Sequence, residues 1–504
     1  MAALNSTFPG LRTQWPEGVE LRPWLLEVAN LAAQQAAKLQ QRVTGSVTLS
    51  LPAWPEDLLD RLIRSTSGLE TGTHQGFYGV YPVRGLRLVT WGCVDQLTAT
   101  GTQRVKDLAD LLRDASAAQV WLHQPPQWFG GFSFAPGPRL GPWQNWPDAI
   151  LTLPQLSWVD TPQGVWLTVN LALTPGQSPQ EAVANTVAAY QSLRQISAVA
   201  GLNRLNHTAQ VVAGRTQTNG PFPPWSDELE HQTFVSGVEQ CVADIRMGQY
   251  EKVVLARREQ IVGDAREGLQ KAAKTLEQAY PNSFTYLLRQ ANSWFIGASP
   301  EQLVRVVDGE LLADCLAGTA PRGKDEVADE QLGQGLLNSV KNRHEHAIVR
   351  TWICSQLKDL TSEVQAPEIP QLRKLTNVQH LHTPIRARLR ASVGALDVAA
   401  RLHPTPAVAG VPQTAAMAAV LRQEPFDRGW YAGGVGWVDV RGNGEFFVAL
   451  RSALLESSTA WLYAGAGIVD ASDGEEEWAE TELKLTPMRT ALAWHKEDAD
   501  SAGK

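Results

Sequence analysis

The amino-acid sequence predicts an α+β chain organised around a large antiparallel sheet. Three observations predict it. Short apolar runs with two-residue alternation recur along both halves of the chain. Several are joined by Gly-, Pro-, Asn- or Asp-containing segments suited to tight turns. Among them stand segments whose apolar residues repeat at helical spacing. With 504 residues, 43% of them hydrophobic, the chain can form one large body or two intimately packed halves around a substantial core.

Taken in order, Gly45–Leu51 (GSVTLSL) alternates as a strand, and Val105–Ala115 has helical spacing. Gln119–Leu122 and Trp128–Phe134 (WFGGFSF) read as strands, the second around a Gly-Gly bend. Ile150–Leu156 and Gly164–Leu173 read as a hairpin turning through Asp160–Gly164. Asn219–Trp225 (NGPFPPW), with three prolines, is the expected linker. Ser226 then offers an N-cap, with Glu228 in the first turn of a helix running to about Arg246. Val253–Arg258, Phe284–Leu288, Ser293–Ile296, Trp430–Trp437, Gly444–Leu455 and Ala460–Val469 follow as strands, with Arg441–Gly444 (RGNG) as a hairpin turn. The late YAGGVGW echoes WFGGFSF, as an internal duplication would. The expected division is an N-terminal half over 1–222, a catalytic region over 223–490 and a polar tail over 491–504, frayed from about Lys496.

A net charge of −8 lacks the basic footprint of a phosphate-tracking protein, which argues against nucleic acid as a partner. It leaves room for a small anion held by a few placed Arg and Lys residues. The four cysteines, Cys93, Cys241, Cys315 and Cys354, lie too far apart for a disulfide framework or a zinc motif. They are expected as buried or partly buried reduced thiols. The N-terminus lacks the basic and apolar regions of a signal peptide, and no run approaches the ~18 apolar residues of a membrane span. A soluble cytoplasmic chain without a membrane partner is expected.

Four segments bear chemistry. Ser472–Lys484 (SDGEEEWAETELK) begins with cap residues and continues with helix formers, so Glu477, Glu480 and Lys484 share one helix face. Just before it, Tyr463–Val469 (YAGAGIV) is a strand entering a Gly-rich turn whose amides can meet an anion. Two carboxylates there can hold Mg²⁺, or simply form a solvated acidic face. Gln334–Trp352 reads as one helix carrying Glu345 in an HEH triplet; this is not the HExxH of zinc enzymes, and Glu345 can equally pair with Lys341 four residues earlier. Lys252 opens the apolar strand of YEKVVLARR, as an edge-strand lysine or as a desolvated base. Phe295–Leu303 (FIGASPEQL) ends a strand and turns through Pro300 into Glu301, as a first-turn helix acid or as a buried general acid.

Taken together these segments resemble the chorismate-utilising enzymes: isochorismate synthases, salicylate synthases, anthranilate synthase large components and aminodeoxychorismate synthases. The stretches that carry the resemblance are YEKVVLARR, FIGASPEQL, LAGTAPRG, KNRHEHAIV, LHTPI, LHPTPAVAG, YAGGVGW, EFFVALRSALL, YAGAGIV and EWAETELK. They fall densely over residues 225–490, and the resemblance covers the N-terminal half loosely, chiefly through WFGGFSF. The resemblance implies a large αββα sandwich, two antiparallel sheets flanked by helices, with the site between the sheets. It also implies Mg²⁺ held by Glu345, Glu477 and Glu480. Gly318, Thr319, Ala407, Tyr431, Arg451, Gly465, Gly467 and Lys484 match substrate-contacting positions, with Arg451 as a carboxylate clamp.

Within that family the residues point to isochorismate synthase. Relatives that add ammonia usually carry Gln where Lys252 stands; water attacking ring carbon C2 needs a base, which Lys252 supplies. Glu301 then protonates the departing C4 hydroxyl. Relatives that go on to eliminate pyruvate tend to carry Thr in place of Ala407, so Ala407 speaks against a salicylate synthase, although a small residue there also suits close packing. Asn342 replaces an acid found near the metal in some relatives. A non-catalytic chorismate-binding protein is the alternative from another class, which the presence of both Lys252 and Glu301 opposes. The substrate expected is chorismate, with no glutaminase subunit and a monomeric chain. The product can feed menaquinone, phylloquinone, siderophore or salicylate routes.

Overall fold

Many strands of this chain are buried on both faces, so their polar/apolar alternation is muted; Gly76–Tyr81, Ala149–Leu153 and Gly444–Val448 are buried at every residue. Such strands require cover above and below, and the computed structural model supplies it with two stacked sheets between helices. It describes residues 13–65, 75–196, 227–263 and 265–493. The expected linker Asn219–Trp225, the Ser226 cap and the tail from Lys496 lie outside the described residues.

The first sheet has twelve strands in the order Gly410–Val411, Lys252–Val262, Thr459–Ile468, Ser452–Glu456, Ser293–Ser299, Phe284–Gln290, Gly76–Tyr81, Leu86–Trp91, Leu156–Thr161, Gly164–Leu173, Val43–Leu51 and Gln119–Leu122. Only the last pairing is parallel. The second sheet runs Thr361–Gln365, Val378–Leu389, Glu310–Pro321, Gln302–Val307, Gly444–Val448, Gly434–Asp439, Gln127–Phe132, Ala149–Leu153 and Asp95–Ala99, with Gln371–Lys374 beside Val378–Leu389. Both sheets draw strands from either side of the linker region. The fold is therefore the α+β, two-sheet arrangement expected.

One core fills the space between the sheets and is rich in aromatic rings. Phe284 stacks on Phe447 at 4.2 Å between ring centres, with Trp437 5.7 Å away. Such pairs add about 0.5–1.5 kcal/mol each beyond their buried area. A second core lies between the first sheet and its outer helices, including Gly18–Leu39, Pro179–Gln195 and Gly474–Leu492. Arg104–Ser116, Val340–Leu357 and Ala395–Leu402 cover the second sheet.

The two Gly-Gly stretches that echo one another are neighbours: Gly434 pairs with Phe132, and Gly436 with Gly130. Glycine is required there, because a Cβ on Gly131 would lie 1.9 Å from the Gly434 carbonyl oxygen.

Four local expectations are corrected. Ile150–Leu156 is not one arm of the hairpin: Ala149–Leu153 belongs to the second sheet, and Leu156–Thr161 makes the hairpin with Gly164–Leu173 in the first. Gln334–Trp352 is two helices, Glu326–Asn338 and Val340–Leu357, because Ser339 leaves helical geometry and its hydroxyl caps Asn342 N. Gly444–Leu455 divides into strands of different sheets around residues 449–451. Cys93 is exposed, whereas Cys241 and Cys315 are buried.

Candidate active site

Two chain crossings between the sheets build the site. The strand Ser293–Ser299 belongs to the first sheet and Gln302–Val307 to the second, so Pro300 and Glu301 form the passage. The strand Gly444–Val448 belongs to the second sheet and Ser452–Glu456 to the first, so Arg451 sits on the return, with φ +49°. The crossings are tied together: Val448 N donates to the Glu301 carbonyl, Ala298 N to the Arg451 carbonyl, and Ser299 Oγ to the Val448 carbonyl at 2.6 Å. Glu301 accordingly precedes a strand rather than a helix.

Glu301 is buried, and no group among the described residues donates a hydrogen bond to its carboxyl. Burial, and after it the nearby Asp314 carboxylate, push its pKa up to about 8, against the pull of Lys252, Arg373 and Lys484. At neutral pH this carboxyl carries its proton.

Lys252 begins the strand Lys252–Val262, whose neighbour Thr459–Ile468 presents Gly465 and Gly467 opposite Ala256 and Val254. The short strand Gly410–Val411 covers its outer edge, so Lys252 is fully buried rather than an edge guard. Its Nζ lies 2.8 Å from Glu345 Oε1. The contact is an ion pair without hydrogen-bond alignment, and Nζ has no hydrogen-bond partner among the described residues. A polar group brought to it meets an Nζ not engaged in any hydrogen bond. Gly467 leaves the room this pair needs, since a Cβ there would stand 2.5 Å from Glu345 Oε1 and 3.1 Å from Lys252 Cε.

Glu477 and Glu480 lie on the helix Gly474–Leu492, which starts where Asp473 Oδ1 accepts hydrogen bonds from Glu475 N and Glu476 N. Glu477 pairs with Lys341 at 2.9 Å, and Glu480 with Lys484 at 2.6 Å. Lys484 also donates to the Gly465 carbonyl at 2.9 Å. Lys341 thus reaches across to Glu477 instead of pairing within its own helix with Glu345. Burial and the neighbouring Glu480 charge raise the Glu477 carboxyl above its ordinary range. The expected metal ligands Glu345, Glu477 and Glu480 are therefore each held by a lysine. Among the described residues no three Asp, Glu, His or Cys side chains converge as a metal-holding group. The donor chemistry still suits Mg²⁺, which takes hard oxygen ligands, and a divalent cation would relieve the crowding of Glu477 by Glu480.

Arg451 is buried and pairs with no carboxylate among the described residues, and burial lowers its hold on its proton. Its Nη2 lies 3.5 Å from His380 Nε2, and His380 Nδ1 lies 3.1 Å from Thr319 Oγ1. Burial, then the Arg451 charge, hold the imidazole far below its ordinary range, so His380 is neutral. Gly318, at φ +81°, occupies a β-bulge that brings Thr319 opposite His380. Tyr431 stacks on Tyr463 at 5.3 Å and 17°, with its hydroxyl 3.2 Å from where a Gly465 Cβ would stand.

Lys252, Glu345, Gly467, Gly465, Lys484, Glu480 and Tyr431 are thus joined by contacts, while Thr319 and Arg451 meet through His380. Ala407 stands apart from them, packed against the core between the sheets in a loop whose Ala409 carbonyl accepts from Val254 N. Sequence reading missed His380, Asp314 and Arg373. His380 stands one residue before the LHTPI stretch, a signal that was available; Asp314 and Arg373 carry none.

A proton-bearing carboxyl, a buried amine and a buried guanidinium without a carboxylate partner among the described residues make an arrangement suited to acid–base chemistry on a small anion between stacked sheets. Residues 32–493 match the family of chorismate-binding enzymes. The salicylate-biosynthesis isochorismate synthase of Pseudomonas aeruginosa is 37% identical over 415 residues, covering 81% of this chain and 83% of that one. The isochorismate synthase MenF of Bacillus subtilis is 37% identical over 368 residues, covering 73% and 74%. The solved structure of the menaquinone-specific isochorismate synthase of Escherichia coli superimposes with a TM-score of 0.71 at 26% identity, over 94% of this chain and 99% of that one. This chain belongs to the chorismate-binding enzyme family, and these relatives are isomerases. No helix of the described residues is long and apolar enough to cross a membrane.

Proposed function

We propose that this chain is an isochorismate synthase that converts chorismate to isochorismate. The observation that carries the reading is that two buried groups of opposite proton-transfer role, the Glu301 carboxyl pushed up to about 8 and the Lys252 amine, lie close enough for the charge of one to act on the other. Lys252 in its free-amine form takes a proton from water as the water oxygen bonds to ring carbon C2. The ring double bonds shift, the C4–O bond breaks, and Glu301 gives its proton to the hydroxyl, which leaves as water. Protons and charge balance, with an ammonium and a carboxylate left to exchange with solvent. Arg451, with no carboxylate partner among the described residues, is free to clamp one of the substrate's. Positioned proton transfers of this kind contribute about 10²–10⁴ each to the rate.

Glu345, Glu477 and Glu480 are the residues that would hold Mg²⁺ once Lys252, Lys341 and Lys484 release their partners. When bound, the ion supplies positive charge for a substrate carboxylate. Incubating purified protein with chorismate and Mg²⁺ and separating the products tests the reading. Isochorismate alone is expected. Salicylate with pyruvate would make the chain a salicylate synthase, and absence of turnover would leave a chorismate-binding protein. Lys252→Ala should abolish turnover with the fold intact, and a chelator should do so reversibly.

A further inference from the structure

We propose that Asp314, fixed by Arg373 and His382, is a positioning residue that keeps the proton on Glu301. This rests on Glu301 being the acid of the proposed reaction. Asp314 lies on Glu310–Pro321, the strand beside Gln302–Val307, and its Oδ2 accepts from the backbone N of Gln302, the residue next to Glu301, at 3.3 Å. Arg373 Nη1 donates to the same oxygen at 2.7 Å, and His382 Nε2 lies 2.8 Å from Oδ1. Arg373 Nη2 donates in turn to Tyr81 Oη at 3.0 Å, so the N-terminal half anchors the cluster.

The chemistry follows from what faces Glu301. Among the described residues, the titratable or charged groups that act most strongly on it are Asp314, Lys252, Arg373 and Lys484, with the Cys315 thiol also facing it. Arg373, Lys484 and, when it carries a proton, Lys252 each favour an ionised Glu301, which could not donate a proton. Asp314 is the carboxylate opposing them. Although burial works against it, hydrogen bonds from His382 and Arg373 keep Asp314 charged and below the usual carboxylate range. Ionising Glu301 would place a second negative charge beside a fixed one in a buried site, and the proton stays.

Two substitutions of opposite sign separate the possibilities. Asp314→Asn removes the opposing charge and leaves Arg373 unbalanced; Arg373→Met removes a cation while His382 and the Gln302 amide still hold Asp314. The alkaline limb of kcat against pH should move down by roughly one unit in Asp314→Asn and up in Arg373→Met. The infrared C=O band of the protonated Glu301 carboxyl, assigned by its loss in Glu301→Gln, should titrate with the same opposite displacements. Limbs and band that stay in place, or that move in one direction in both variants, overturn the proposal. If one variant fails to fold, the band in the other decides. The infrared titration needs no turnover, so the two readings fail separately. A chain that makes no isochorismate overturns the activity, whereas an unmoved band in variants that still make it overturns only the role of Asp314.

Discussion

Gly467→Ala probes the geometry of the base with the smallest possible change. Gly467 lies in a regular strand opposite Val254, and its backbone suits alanine, so no conformational strain accompanies the substitution. The added Cβ would stand 2.5 Å from Glu345 Oε1, where ordinary contact begins at 3.4 Å. The carboxylate must retreat by about 1 Å, and Lys252, 2.8 Å from it, must follow or lose its partner. A displacement of that size at a reacting group costs about 10²-fold in rate, equivalent to about 2.7 kcal/mol of barrier. Both clashing atoms belong to side chains, and alanine loses less backbone entropy on folding than glycine, so stability should change by less than about 1 kcal/mol. Steady-state assay of isochorismate formation with a thermal melt of the same sample measures both. A kcat within about threefold of the parent, with an unchanged melt, would refute the placement of Lys252 as the base, since about 10²-fold is expected.

Three further outcomes follow from the same structure. Because Glu301 has a folded pKa of about 8 against 4.5 for the ordinary carboxyl, its protonated form contributes stability that is full below pH 4.5 and lost as pH rises through about 8. Glu301→Gln should therefore gain stability relative to the parent at alkaline pH, by a few kcal/mol, with the difference vanishing near pH 4.5; denaturant melts across that window check the sign. Arg428 and Glu424 form a buried pair, with Arg428 Nε donating to Glu424 Oε2 at 2.8 Å. Arg428→Met strands the carboxylate and should cost about 3–5 kcal/mol in urea unfolding. Asp473→Ala removes the cap of the helix bearing Glu477 and Glu480 and should cost about 1 kcal/mol by the same measurement.

The sequence by itself determined what local spacing controls. Glu477, Glu480 and Lys484 share a helix face because their separations match the helical repeat, and Asp473 caps that helix because its short carboxylate reaches the free amides of the first turn. The RGNG hairpin closes because the residues around Asp439 satisfy its turn, with Asp439 Oδ1 accepting from Arg441 N and Asn443 N. Lys252 at the head of an apolar strand was equally legible. Tertiary structure alone decided where the chain changes sheets at Glu301 and Arg451, since strands buried on both faces carry no alternation to mark the passage. It also decided that Lys341 pairs with Glu477, 136 positions away, rather than with Glu345 in its own helix. Asp314, Arg373 and Tyr81 meet for the same reason. The electrostatic state of a carboxyl depends on the charges and solvent that folding gathers around it, and no property of Glu301 in the sequence sets them.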